Sequence, residues 1–134
     1  MTNLDKICAE FAQKIAKELS QSFNNNPKKA EILINKALGV LQEQGLYAFV
    51  LFCMSRGKDE KDGAEKLKTL TGELLKDELK LIGNGDILNE IINLSANLDS
   101  LMLAIQVLEK TLIYARYHAK AHRESSKETQ TAGE

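Results

Sequence analysis

His118 and His122 stand four residues apart, the spacing at which two imidazoles on one helix can share a metal ion. The hydrolytic version of that pattern needs a glutamate beside the first histidine, and position 119 is Ala119. No obvious third ligand accompanies the pair. Two partly exposed histidines near a helix end is therefore the favoured reading, with a small metal-dependent enzyme using His118 and His122 as the alternative. Gly83 and Gly85 lack the following Lys-Ser or Lys-Thr of a phosphate-binding loop. Cys53 lies in an apolar run, where desolvation suppresses the thiolate that a nucleophile needs. Asp59, Glu60 and Asp62 could gather a cation, but Lys58 and Lys61 are interleaved with them and a solvated loop accounts for the pattern. The expectation is a protein that binds rather than catalyses, with no cofactor and no metal.

Cationic residues are the other candidates. Leu98, Leu101, Met102, Ile105, Leu108, Leu112 and Ala115 form one apolar stripe on the last helix. At about 100° per residue, Arg116, Lys120, Arg123 and Lys127 fall within roughly 50° of the same direction. This predicts an inward face that turns basic after Ala115, and a core cannot receive unpaired cations. That end is expected to leave the body and meet water, an acidic partner or phosphate. Between Lys110 and Lys127 there are five basic residues against one acid, Glu124, with Tyr114 and Tyr117 on another side of the helix. Cations complementing the helix dipole at a solvated end would give the same composition. Lys14 and Lys17 on the first helix, and Lys29 and Lys36 on the second, are further possible phosphate contacts or simply solvated faces.

Helices must position these groups. Leu4, Ile7, Cys8, Phe11, Ile15 and Leu19 repeat at helical spacing, with Thr2 and Asp5 resembling a capping box. Asn24-Asn25-Asn26-Pro27 breaks the pattern, Asn26 suiting an N-cap and Pro27 the first helical position. A second helix over 28–44 buries Leu33, Ala37, Leu38 and Leu41 and stops at Gly45. A third, 46–56, is apolar almost all round and so belongs at the centre of the body. A fourth, 64–82, turns Leu67, Leu70, Leu74, Leu75 and Ile82 inward, and Gly83-Asn84-Gly85-Asp86 supplies a turn and a cap. Helices over 87–94 and 97–125 follow, although Leu94-Ser95-Ala96-Asn97 could also continue as one helix. Residues 125–134 are polar and expected to be disordered. The fold expected is thus an all-α bundle of five to six helices around a central apolar helix, one domain over 1–124 and no internal repeat.

Composition agrees. The 134 residues, 43% hydrophobic and 28% charged, suffice for one domain that buries roughly two thirds of its unfolded surface. One proline and 5% aromatics beside abundant Leu, Ala, Glu and Lys favour helix over strand. A net charge of −1 excludes a strongly basic nucleic-acid-binding domain but not a local basic surface. Cys8 and Cys53 sit within apolar helical patterns, as reduced, buried thiols of a cytoplasmic protein do. Asp5, Lys6 and Glu10 interrupt what a secretory signal would need. The longest apolar run, Leu46–Met54, falls well short of the ~20 residues of a membrane span.

The segment Leu41-Gln42-Glu43-Gln44-Gly45-Leu46, continuing through Phe49, Leu51 and Phe52 to Ser55-Arg56-Gly57, resembles a known family core. It is similar to the "helix, Gly-Leu, apolar helix, Ser-Lys/Arg-Gly" pattern of the small helical subunit of Cmr, the RNA-targeting type III-B CRISPR effector complex. The amphipathic first helix, the long closing helix over 101–121 and the length fit the same layout. The chain departs from the family where Lys110-Thr111-Leu112-Ile113-Tyr114-Ala115 stands in place of Trp-Leu-Lys-Arg-Phe-Ala. The resemblance implies a structural, non-catalytic subunit, a monomer when isolated, whose copies stack beside the guide-bearing subunits and help line the channel for guide and target RNA. RNA contact would be sequence-independent, through phosphates, because guide pairing supplies specificity. The residues implied are Arg56, at the matching Ser-Arg-Gly, and the basic groups of the terminal helices: Lys14, Lys17, Arg116, Lys120 and Arg123. A competing expectation is a helical adaptor that binds only proteins and shows no salt-sensitive RNA affinity.

Overall fold

The computed structural model describes residues 3–132, with side-chain surroundings described as far as Arg123. Among the described residues there are six α-helices and no strand: α1 (Leu4–Ser22), α2 (Pro27–Gln44), α3 (Leu46–Met54), α4 (Lys61–Glu73), α5 (Ile87–Leu94) and α6 (Leu98–Ala132). The all-α bundle anticipated from periodicity is the fold. Helical backbone continues through 125–132, where composition suggested a disordered tail.

Local chemistry sets the boundaries. Asn3 caps α1, its Oδ1 accepting the Lys6 N–H at 3.1 Å; Thr2, the cap expected, lies outside the described residues. The chain turns at Asn24 and Asn25, both left-handed at φ 57° and 61°, a conformation asparagine adopts more readily than other non-glycine residues. Asn26 then caps α2 by accepting the Lys29 N–H at 3.2 Å, with Pro27 in the first turn. Gly45 ends α2 with φ 93°, a value that favours glycine. After Glu73, helix α4 widens into one π-helical turn, Leu74–Glu78, where the Leu79 N–H reaches the Leu74 carbonyl at 3.0 Å. The helix therefore stops short of Ile82, and Lys80 takes φ 55° in the link to α5. Asp86 caps α5 and Glu90 folds back to accept the Gly83 N–H. A Cβ on Gly83 or Gly85 would meet that carboxylate at 2.8 or 2.9 Å. Residues 95–97 do break the last two helices, and Asn97 starts α6 by accepting the Ser100 N–H at 3.1 Å.

Helix α6 lies along α1 and α2, α4 packs on α1, and α3 is flanked by α2, α4 and α5. Leu46, Phe49, Val50 and Cys53 turn into the core, while Tyr47, Leu51 and Met54 leave one side of α3 at the surface. Helices α1 and α6 both bury small residues, Ala12 and Ala16 on the first and Ala104, Ala115 and Ala119 on the second, which lets helix backbones approach. Cys8 donates its S–H to the Val107 carbonyl at 3.6 Å between the two helices.

One expectation about α6 is corrected here. Its inward face is Ala104, Val107, Leu108, Thr111, Leu112, Ala115 and Ala119, all buried, whereas Leu98 and Met102 are 66% and 49% exposed. Close packing rewards small side chains along a helix seam, so α6 turns Ala104, Ala115 and Ala119 inward and its Leu98 and Met102 side outward. Leu108, Leu112 and Ala115 of the expected stripe do face inward, but the basic residues continue its Leu98 and Met102 side, which is a flank of the helix. No helix among the described residues is long and apolar enough to cross a membrane.

Candidate nucleic-acid interface

The six basic candidates are distributed over the bundle and do not form one patch. Arg56 follows α3 and is held by local contacts: Nε donates to the Phe52 carbonyl at 3.3 Å, Nη1 lies 3.7 Å from Glu60, and the guanidinium stacks 4.0 Å from the Phe52 ring centre. It fastens the α3–α4 link. Lys14 pairs with Glu73 of α4 at 3.5 Å and sits over the Phe11 ring. Arg116 donates to Asn35 Oδ1 at 3.4 Å and lies over Tyr117. Arg123 approaches Glu31 of α2 at 3.5 Å. The basic flank of α6 is thus matched in part by α2, with a carboxylate and an amide that periodicity on α6 alone did not disclose. Lys17 and Lys120 are exposed, and no ion pair or hydrogen bond holds their ammonium groups among the described residues.

Lys17 opens onto a groove of about 670 Å³ between α1 and α6. Gln13, Ala16, Ser20 and Gln21 of α1 form one wall, His118, Ala119 and His122 of α6 the other, and Asn25 and Pro27 close the end. Small residues at the floor, Ala16 and Ala119, leave the space that larger side chains would fill. Among the described residues the lining contains a lysine, two imidazoles, three side-chain amides and a hydroxyl, and no carboxylate. Glu18, on α1, turns instead toward Lys66 of α4 at 3.9 Å. Lysine and imidazole donors with amides beside them suit an anionic oxygen ligand. A smaller depression of about 440 Å³ beside α2 differs in this respect, because Asp59 and Glu60 line it with Lys29, Lys36 and Lys58.

The two histidines therefore share one groove with Lys17, a residue of another helix to which their spacing did not point. Among the described residues no group of three or more His, Cys, Asp or Glu is placed to hold a metal ion. Burial pushes the Cys53 thiol up to about 12, with Arg56 and Lys68 pulling only weakly the other way. No family model matches the chain, and no curated protein or solved structure matches it either.

Proposed function

We propose that this protein is a non-catalytic structural subunit of a cytoplasmic CRISPR ribonucleoprotein effector complex. In this reading it takes the place of the small helical subunit of Cmr and supports guide and target RNA in antiviral defence. The observation that carries the reading is the groove with Lys17, His118 and His122, which holds no carboxylate among the described residues, beside the exposed Lys120, which has no acidic partner among them. Such a surface takes phosphates without reading bases. It also agrees with what the Gly45-Leu46 and Ser55-Arg56-Gly57 resemblance implies. A near-neutral domain with few such contacts gains little from counterion release, so isolated affinity is weak and many copies along one RNA must add up.

The test is recovery of RNA and neighbouring effector subunits with the tagged protein, comparing wild type with a Lys17→Glu, Lys120→Glu double variant. Both side chains are exposed, so the fold survives. RNA retention should fall, and its log–log salt slope should shrink by about 0.7 per lost single-strand phosphate contact. Equal retention by the variant at every salt concentration would defeat the reading. A protein-only adaptor is favoured by one observation, the row Tyr47, Leu51 and Met54, exposed at 41, 43 and 49% on α3. Stable protein partners recovered without RNA would establish that alternative.

A further inference from the structure

We propose that the α1–α6 groove is a binding site for one nucleotide unit of single-stranded RNA, with its phosphate held among Lys17, His118 and His122. The inference rests on the RNA-contact reading above and goes further, because it assigns the two histidines, adds a discrete site and names its ligand.

Charge is the first argument. Among the described residues every titratable side chain lining the groove is a base, and the carboxylate nearest in sequence to Lys17, Glu18, is turned to α4. A cleft with one lysine and, among the described residues, no acid offers that lysine no partner, so an anion gains a charge-assisted hydrogen bond there without displacing one. The second argument is backbone. Pro27 closes the groove, which brings the N-terminus of the 18-residue α2 to its end. The unpaired N–H groups and the dipole of a helix start add positive potential there. The turn that delivers α2 to this place holds Asn24 and Asn25 left-handed in succession, and such conformations persist where the surrounding structure requires them.

Size selects the ligand. The volume of about 670 Å³ lies within the range of sites for organic ligands, roughly 300–1,000 Å³, and far exceeds what an isolated phosphate fills. The remaining polar lining is amide: Gln13, Gln21 and Asn25 each offer donors and an acceptor. Amides suit the 2′-hydroxyl of RNA, which both donates and accepts.

The experiment follows imidazole resonances of the full-length protein by NMR while a short oligouridylate, the matching oligothymidylate or inorganic phosphate is added at low salt. Oligouridylate should shift both His118 and His122, oligothymidylate less, and inorganic phosphate least. A His118→Gln, His122→Gln double variant should bind oligouridylate about tenfold more weakly, as loss of charge-assisted contacts implies. A Lys17→Gln variant, altered only at an exposed side chain, should show the same loss should the histidine variant be poorly folded. RNA that binds while both imidazoles stay unmoved overturns the groove site and leaves the RNA-contact reading standing. Inorganic phosphate that shifts them as strongly as oligouridylate makes this a small-anion site and overturns the nucleotide assignment. No RNA binding by the chain or by its assembly overturns both.

Discussion

Arg123 Nη1 lies 3.5 Å from Oε2 of Glu31, a carboxylate whose side chain is only 15% exposed. The pair ties the far part of α6 to the first turns of α2 and so holds the histidine wall of the groove in place. Arg123→Glu would set a second carboxylate beside Glu31, and stability should fall by roughly 1 kcal/mol or more. Lys120→Glu, at an exposed cation with no ion-pair partner among the described residues, should stay within about 0.5 kcal/mol of wild type. Urea denaturation of the two variants separates the cases. Equal stabilities would mean that the Glu31 contact holds nothing.

Two phenylalanines of α3 should behave differently although both lie in one apolar run. Phe49 is fully buried, and Phe49→Ala should cost about 3–5 kcal/mol. Phe52 is half-buried beneath the Arg56 guanidinium, so Phe52→Ala should cost distinctly less. Arg56→Ala should reproduce part of that loss through the missing stacking and the lost bond to the Phe52 carbonyl. Similar melting curves for Phe49→Ala and Phe52→Ala would contradict the placement of α3.

Glycine replacements offer a signed pair. Gly39 lies inside α2, and an added Cβ would meet nothing within 4 Å. Gly39→Ala should therefore stabilise by about 0.5–1 kcal/mol through reduced unfolded-state entropy. At Gly63 the same atom would sit 2.8 Å from Phe23 Cε2 and 3.1 Å from Leu33 Cδ2, both core residues. Gly63→Ala should destabilise. Differential scanning calorimetry reads both signs, and a rise in Tm for Gly63→Ala would refute the close approach of α4 to Phe23.

The start of α1 is pinned to α6 by an exposed cluster with a calculable pH response. Lys110 Nζ lies 2.8 Å from Asp5 Oδ1, and the Tyr114 hydroxyl donates to the same oxygen at 2.8 Å. The hydrogen bond from Lys110, then that from Tyr114, holds the Asp5 carboxyl below the usual carboxylate range. The bond to Asp5 raises both the Lys110 ammonium and the Tyr114 phenol. A depressed carboxyl contributes stability above its unfolded pKa and loses it as pH falls through the folded one. The raised groups contribute below their unfolded pKa values and lose it as pH rises through the folded ones. The Tm difference between wild type and Asp5→Asn should be largest near neutral pH and shrink in both acid and strong alkali. Being exposed, it should also shrink with salt. A difference that grows on acidification would contradict the cluster.

Much of this molecule follows from local chemistry and could be read without a fold. Asn26 caps, Pro27 begins a helix and Gly45 ends one because backbone dihedrals and unpaired N–H groups are settled within a few residues. The apolar run Leu46–Met54 and the turn before Ile87 are legible for the same reason. The π-helical turn after Glu73 is not, because its residues differ in nothing local from those of an ordinary helix.

The basic flank of α6 shows where such reading ends. Leu98 and Arg116, Met102 and Lys120, and Ile105 and Arg123 are each five helical turns apart at about 3.6 residues per turn, so each pair points the same way. That relation is a property of the sequence alone. Whether the shared direction is inward or outward is not, since α6 carries apolar side chains around much of its circumference. The packing of α6 on α1 and α2 decided it by burying Ala104, Ala115 and Ala119 and leaving Met102 and Lys120 at the surface. The same packing brought Lys17 beside His118 and His122, and Glu31 beside Arg123. Contacts between distant segments depend on how two helices rotate against each other, a choice made by the summed packing of the whole core.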